Sequence, residues 1–401
     1  MNRPRPMARW LRPLLLGWIV TVAVSACSSG TTTQAQANSA ASASTTVLQA
    51  GSDTSGSTPA PQAGSGASGS TATEPTAGSS AGNSSGPSSL SEYDGPEVKL
   101  LGEVATPATK PGTPFKVGFL QVNGAVGNLR AVQQAADAAV GKLGGSMVAL
   151  DAQLNPQTQI SQFQQLISQK VDAILVLPAV DSSLEPSLKQ AKDAGIPVFT
   201  YGLPVDKSKP ADPYVTTSIN VGFDYAAYSV MKDIATKRPG STFAILGSAL
   251  PVPTLQYIDS QVKSWGIRMG LKFLDEADAL TDDTNGYGPA ANTIFAKHPD
   301  VTNLIAFNDE SAVFAATQAT QRGNSTVQIS CINGGEDIAR QAITGGRMYS
   351  DYFMRWTDLG TALANAAYTT VTRQGTLPAT LVLKSTVVTK ANVGEARSWA
   401  K

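Results

Sequence analysis

From Phe115 onward the chain alternates short runs of β-branched and aromatic residues with helical segments, and no other feature constrains its fold so strongly. Phe115 to Gln121 reads as a buried strand, and the Ala-rich stretch from Leu129 to Leu143 as a helix ending at Gly144 and Gly145. Met147 to Leu150 is a second strand. Gln157 to Gln169 is an amphipathic helix, with Ile160, Phe163, Leu166 and Ile167 on one face. Val171 to Leu177 follows as a third strand, a further helix ends at Gly195, and Ile196 to Thr200 resumes the sheet. The alternation then repeats: Ser241 to Leu246, Asn303 to Phe307 and Val327 to Ile332 are strand-like, separated by helices near Thr254–Phe273, Ala291–Lys297 and Glu310–Gln321. Strands that alternate with helices form βαβ units and parallel sheets. Two such series predict an α/β chain of two doubly wound lobes, with a crevice at the strand carboxyl ends, where open sheets take ligands.

The N-terminus predicts a compartment. Arg3, Arg5, Arg9 and Arg12 form a basic region ahead of the apolar run from Leu14 to Val24, which leads into Val24-Ser25-Ala26-Cys27. The run is too short for a bilayer core of about 30 Å, so residues 1–26 read as an export signal and not as a spanning helix. Small residues ahead of a Cys, with Ser28, Ser29 and Gly30 after it, resemble the bacterial lipobox, although Val24 stands where Leu is usual. That resemblance implies an exported protein with an acylated Cys27 that anchors it at the outer face of the cytoplasmic membrane or in the cell envelope.

Residues 27–95 are Ser, Thr, Gly, Ala and Pro with few large apolar side chains and no Lys or Arg. Such a stretch cannot bury enough surface to offset its chain entropy, and the expectation is a disordered tether spanning about 45 Å. A glycosylated stalk would have the same composition. Removal of the signal takes four arginines and no acids, leaving 26 basic of the original 30 against 30 acidic side chains, a net charge of −4. Nothing in that balance attracts nucleic acid. With Cys27 assigned to lipid, Cys331 has no disulfide partner, and the body depends on an ordinary core.

Several runs in the folded part resemble one family, the type I periplasmic binding proteins of the ribose-binding-like branch, which serve ABC importers of sugars. Gln159 to Pro178 is similar to that family's second helix and third strand, and Ala191 to Val198 to its following helix end and strand. His298-Pro299-Asp300, then Ala306-Phe307-Asn308-Asp309-Glu310, resemble the Pro-Asp and Asn-Asp signatures of the second lobe, and Val387 to Val393 its closing strand. The resemblance implies two lobes joined by a three-crossover hinge. It predicts crossovers near Ser218, near Tyr349–Phe353 and near Thr376–Leu381. The first lobe is then residues 115–218 plus about 353–377, and the second 219–352 plus about 378–395. It also implies hinge closure around a small solute, delivery to ABC permease subunits, a monomer, and no cofactor or metal.

Asn308 and Asn333 each end a strand on the crevice side of its sheet, where an amide can donate and accept. In the family the corresponding positions hold ligand, the second as an Asp in a Gly-aromatic-Asp-Gly turn; here the turn reads Cys331-Ile332-Asn333-Gly334. Asp309 is expected to cap the helix that follows. The family's paired aromatics after the first strand are replaced by Val126-Gly127-Asn128-Leu129, leaving Asn128 to hydrogen-bond. Gly202, preceded by Tyr201, occupies the position of another ligand-binding Asp, and the last crossover brings Phe353 or Met354 close to Arg355 and Trp356. The resemblance thus implies a ligand set of Asn128, Tyr201, Asn308, Asn333, Met354 and Trp356. The lost acids favour a moderately polar, weakly charged or neutral ligand, a carbohydrate or polyol ahead of a nucleoside or amino-acid derivative.

Other function classes fit poorly. The single His, His298, sits at a helix end in Lys-His-Pro-Asp, no Ser-His-Asp set can be completed, no Cys or His spacing suggests zinc, and no Gly-rich phosphate loop follows a strand. An enzyme is not expected. A repressor would need a helix-turn-helix ahead of residue 115, where the sequence is signal and tether. A ligand sensor for a membrane receptor kinase uses the same body and remains the alternative to transport.

Overall fold

The computed structural model describes residues 90–99, 114–250 and 252–398. The export signal, Cys27 and the tether up to residue 89 lie outside the described residues. Among the described residues no helix is long and apolar enough to cross a membrane.

The first lobe opens with β1 (Lys116–Gln121) and α1 (Gly127–Lys142), then β2 (Ser146–Asp151), α2 (Pro156–Ser168), β3 (Ala173–Val176), α3 (Glu185–Asp193), β4 (Val198–Tyr201) and β5 (Thr217–Val221). Local chemistry sets these boundaries. Asn155 accepts the Thr158 amide at 3.0 Å and Pro156 follows as the first helical residue, so α2 begins there. Gly144 takes a left-handed φ of 81° just beyond α1, as the Gly-Gly pair predicts. β3 and β4 are buried along their whole length and read as continuous apolar runs, as central strands of a parallel sheet do.

The second lobe contains α4 (Phe223–Lys237), β6 (Thr242–Ser248), α5 (Pro253–Arg268), β7 (Lys272–Ala279), α6 (Thr284–Lys297), β8 (Asn303–Ala306), α7 (Asp309–Gln321), β9 (Gln328–Gly334), α8 (Asp337–Thr344) and β10 (Ser350–Phe353). The chain then returns through α9 (Trp356–Val371) and β11 (Thr380–Leu383), and ends its regular structure with β12 (Val387–Thr389). The sheets have the orders β11-β5-β4-β3-β1-β2 and β12-β10-β9-β8-β6-β7. Every pairing is parallel except β12 on β10. This is the expected pair of doubly wound lobes.

Three expectations need correction. β7 was absent from the helix expected over Thr254–Phe273; Lys272–Ala279 is an acidic, partly exposed edge strand, and its sequence KFLDEADA carries too few apolar residues to announce one. The crossovers lie a few residues later than expected. β11 pairs in parallel with β5, Thr380 opposite Ser218 and Leu383 opposite Val221, so both strands complete the first sheet before the chain leaves it. The crossovers fall at Gly222, at Met354–Arg355 and at residues 384–386, and Phe353 belongs to the core of the second lobe. Finally, residues 90–95 are not free tether: Leu90 and Tyr93 pack against the main core.

Helices α4 and α9 follow the same division. α4 packs on α5, β9 and β10, and α9 on α1, β3, β4 and β5. A β-carbon at Gly360 would overlap the Val132 carbonyl, so glycine lets α9 lie close on α1.

Candidate functional site

The two sheets present their carboxyl ends toward one another. Thr254 in the first turn of α5 donates to the Gly202 carbonyl beyond β4 at 3.4 Å, and the Tyr257 hydroxyl reaches the Val205 carbonyl at 3.4 Å. Loops that follow strand ends in each lobe therefore meet, with three chain crossovers behind them.

On the first lobe, Gln121 at the end of β1 is fully buried and donates to the Leu129 carbonyl at 2.9 Å and to Gln133 at 3.2 Å. Asp151 at the end of β2 accepts the amides of Gly124 at 3.1 Å and Gln153 at 3.0 Å. Asn220 on β5 accepts the Leu203 amide at 2.7 Å, fastening the loop after β4. Arg130 donates to the carbonyls of Gly124 and Ala125.

The second lobe is arranged around Asn308. Its side chain caps α7 by accepting the Ser311 amide at 2.9 Å, and Ser311 answers to the Asn308 amide, a reciprocal capping box. The Asn308 amide group donates to Asp282 at 2.7 Å, and the Tyr287 hydroxyl donates to the same carboxylate oxygen at 2.6 Å. Glu310 and Glu336 complete an acidic rim. Burial, then the charges of Glu310, Asp309 and Asp282, push the Glu336 carboxyl up to about 7. Glu310 is raised by burial and by Asp282.

Behind this rim, Asp309 and Asp351 are buried beside Cys331, with donor atoms of the three within 4.8 Å of one another. Asp309 accepts the amides of Gly335 at 3.0 Å and Glu336 at 2.7 Å, so it fastens the turn after β9 and does not cap α7. The Cys331 thiol and the amides of Gly335 and Tyr352 lie near Asp351, but none meets its oxygens or Oδ1 of Asp309 in good hydrogen-bond geometry, so the pair lacks a well-placed donor. One proton shared between them supplies it, because two charges so close in a dry core cannot both persist. Burial pushes Asp351 up to about 7 and Asp309 well above the usual carboxylate range. A β-carbon on Gly334 would overlap both carboxyl groups, which explains the glycine. A second trio, Asp259, Glu276 and Asp278, also brings donor atoms within 4.8 Å, with Asp259 raised to about 7 by burial and then by Glu276. Both trios have a donor chemistry able to hold a cation.

The periplasmic binding protein domain matches residues 122–375. The chain belongs to the periplasmic binding protein family. Among curated relatives of this family, the galactofuranose-binding protein YtfQ of Escherichia coli is 38% identical over 104 residues, covering 26% of this chain and 32% of the relative. The ribose import binding protein RbsB of Bacillus subtilis is 25% identical over 204 residues, covering 49% of this chain and 62% of the relative. The chain thus matches about a third of the first and under two thirds of the second. A solved ABC transporter solute-binding protein from Actinobacillus succinogenes with bound D-allose superposes with a TM-score of 0.62 at 18% identity, covering 70% of this chain and 99% of that one. That likeness establishes the two-lobed type I fold. Proteins of the periplasmic binding protein family act outside the cytoplasm and are not enzymes.

The periplasmic binding protein fold brings only part of the expected ligand set to the crevice. Asn128 lies in the first turn of α1, half-buried, its oxygen accepting the Leu129 amide at 2.8 Å. Asn308 and Asn333 stand at the carboxyl ends of β8 and β9, and Oδ1 of Asn333 is buried with no hydrogen-bond donor. Tyr201, at 0% exposure, is instead a core residue, tilted on Phe119 with ring centroids 5.5 Å apart and its hydroxyl 3.4 Å from Gln121. Met354 at 2% and Trp356 at 3% are likewise buried in the core at the second crossover, Trp356 with Phe223 6.1 Å away. All three belong to the main core, Tyr201 at the end of β4 and Met354 and Trp356 at the second crossover, where a large apolar side chain is more stable packed than presented. Sequence reasoning did not single out Asp282, Glu310 or Glu336. The acids after β7 gave no signal because β7 itself was not legible.

Proposed function

We propose that this protein is the extracytoplasmic, lipid-anchored solute-binding component of an ABC importer, closing its lobes on a small, neutral, hydroxyl-rich molecule of the carbohydrate or polyol class. The observation that carries this reading is the crevice itself: two strand-end faces opposed across three crossovers, one of them lined by Asn308, Asn333 and carboxyl groups. Carboxylates accept from sugar hydroxyls through charge-assisted bonds and the Asn amides through neutral ones, and the acidic rim disfavours phosphorylated or carboxylated ligands. The names of the relatives, galactofuranose-binding and ribose import binding, favour the same class. Asn128 on the first lobe and Asn308 and Asn333 on the second are the proposed contacts. Binding on both lobes stabilises the closed arrangement, which permease subunits then recognise.

Titration calorimetry on the purified protein against neutral pentoses, hexoses and polyols, with phosphorylated and uronic counterparts, tests this reading. A neutral ligand is expected to bind, and Asn333→Ala to weaken it by more than tenfold; binding confined to the acidic ligands would overturn it. The anchor has a separate test. Metabolic labelling with a fatty-acid analogue should mark the wild type and not Cys27→Ala, and release of the variant from the membrane fraction should follow.

A further inference from the structure

The segment ahead of the first lobe crosses the hinge edge of the molecule and is held by both lobes. Tyr93 inserts among three aromatic rings of the second lobe, with centroids 5.0 Å from Tyr225, 5.1 Å from Tyr228 and 5.9 Å from Trp265, the last ring stacked. Asp94 forms a two-pronged ion pair with Arg268 at the end of α5, at 3.1 and 2.9 Å. Ser91 adds a bond to the Arg268 carbonyl at 3.0 Å. The same few residues also grip the first lobe. Lys207, in the loop after β4, donates to the carbonyls of Asp94 and Gly95 at 2.7 and 3.1 Å. Lys99 forms a parallel bridge beside Leu383 on the edge strand β11, donating to Val382 and accepting from Lys384, both at 2.8 Å.

These attachments surround two of the three crossovers. Tyr93 and Pro96 line a small cavity together with Val221, Gly222 and Phe223 of the first, and the Lys99 carbonyl holds the amide of Lys384, where the third begins. A rotation of one lobe against the other must therefore change the span between the Tyr93 cage and the Lys99 bridge, or release one end. We infer that residues 90–99 are an interlobe strap that restrains the hinge, so that lobe rotation is coupled to unhooking of Tyr93 and Asp94 from α4 and α5. The inference requires two lobes and their crossovers, and not the identity of any ligand.

Amide hydrogen exchange on the full chain tests the strap without a ligand. The decisive probe is Met354, whose amide donates to the Gly334 carbonyl at 3.0 Å at the second crossover, which the strap does not touch. In Asp94→Ala and Tyr93→Ala, exchange at Met354 and Gly222 is expected to speed about tenfold, while amides within β3 and β8 keep their protection. Asp94→Glu, which can restore the pair with Arg268, should return most of the protection. Unchanged exchange at Met354 in both alanine variants would overturn the inference, since a merely local contact would free only Lys384 and its neighbours. Should Tyr93→Ala also loosen β3 and β8, Asp94→Ala decides, because it removes only an exposed ion pair.

Discussion

At the carboxyl ends of the first sheet, polar side chains hold their own lobe together: Gln121 bonds Leu129 and Gln133, Asp151 gathers Gly124 and Gln153, and Asn220 fastens Leu203. At the corresponding ends of the second sheet, Asp282, Glu310 and Glu336 crowd around Asn308, and a second acidic pair, Asp309 and Asp351, lies buried beneath them. The first face is a satisfied framework. The second stores unfavourable electrostatics: burial, with charge from neighbouring acids, raises Glu310, Glu336 and Asp309 above ordinary carboxyl groups, and burial raises Asp351. The same topology thus yields a face that sets geometry and a face whose charge responds to pH and to a donor-rich ligand.

The largest test of that contrast is steric. Gly334→Ala would drive a β-carbon into both Asp309 and Asp351, groups with no free volume and no solvent to move into. A loss of about 3 kcal/mol or more is expected, a fall in Tm of roughly 6–12 °C for a body of this size. The matched change on the first face, Gly124→Ala, meets the exposed Asp151 carboxylate at 3.0 Å, and that side chain can give way. It should cost under about 1 kcal/mol. Thermal unfolding of the two variants beside the wild type checks the comparison; equal losses would erase it.

The second test concerns protons. Burial pushes the Asp351 carboxyl up to about 7 in the folded protein, against an ordinary value of 3.8 for an Asp in the unfolded chain. Between these values the folded state keeps a proton that the unfolded state has lost, so stability falls as pH rises from about 4 to about 7 and then levels. Glu336 and Asp259, each raised to about 7, act in the same direction. Asp351→Asn supplies a permanent donor to Asp309 without a charge to bury. It should gain on the order of 2 kcal/mol over the wild type at pH 8, with little difference near pH 4. Denaturant titrations at the two pH values check this; a gain independent of pH would mean that the pair does not share a proton.

Where the sequence pattern was strong, the fold was legible. β3 and β4 are buried on both faces, and α2 carries both a cap and an apolar stripe, so each announces itself. β7 does not, because an edge strand needs only one neighbour and tolerates the acids of KFLDEADA. The lobe of β11 is not legible for a related reason: its pairing with β5 joins residues far apart in the chain, and local periodicity carries no information about partners. The site divided in the same way. The strand-end positions of Asn308 and Asn333 were legible: Asn308 lies between β8 and the helix it caps, and Asn333 in the last residues of an apolar strand. Tyr201, Met354 and Trp356 were not, because an aromatic or thioether at a strand end points into the core or the crevice according to tertiary packing alone.

The smallest expected effect separates structure from recognition at two asparagines that look alike in sequence. Asn308 accepts the Ser311 amide within a capping box and donates to Asp282, so it braces α7 and the acidic rim together. Asn308→Ala should cost about 1 kcal/mol of stability, the usual value of an N-cap. Asn128 accepts only the amide of its neighbour Leu129, and α1 has no side-chain cap bond at its start. Asn128→Ala should change stability by less than about 0.5 kcal/mol. If the second face supplies both a helix cap and a ligand group through one residue, Asn308→Ser, which keeps a capping oxygen but loses the amide donor, should recover the stability and not the affinity. Stability and affinity measured together on these three variants decide it: recovery of both by serine would make Asn308 a cap that orders the crevice from behind, and move the ligand contact to Asn333 and the carboxyl groups beside it.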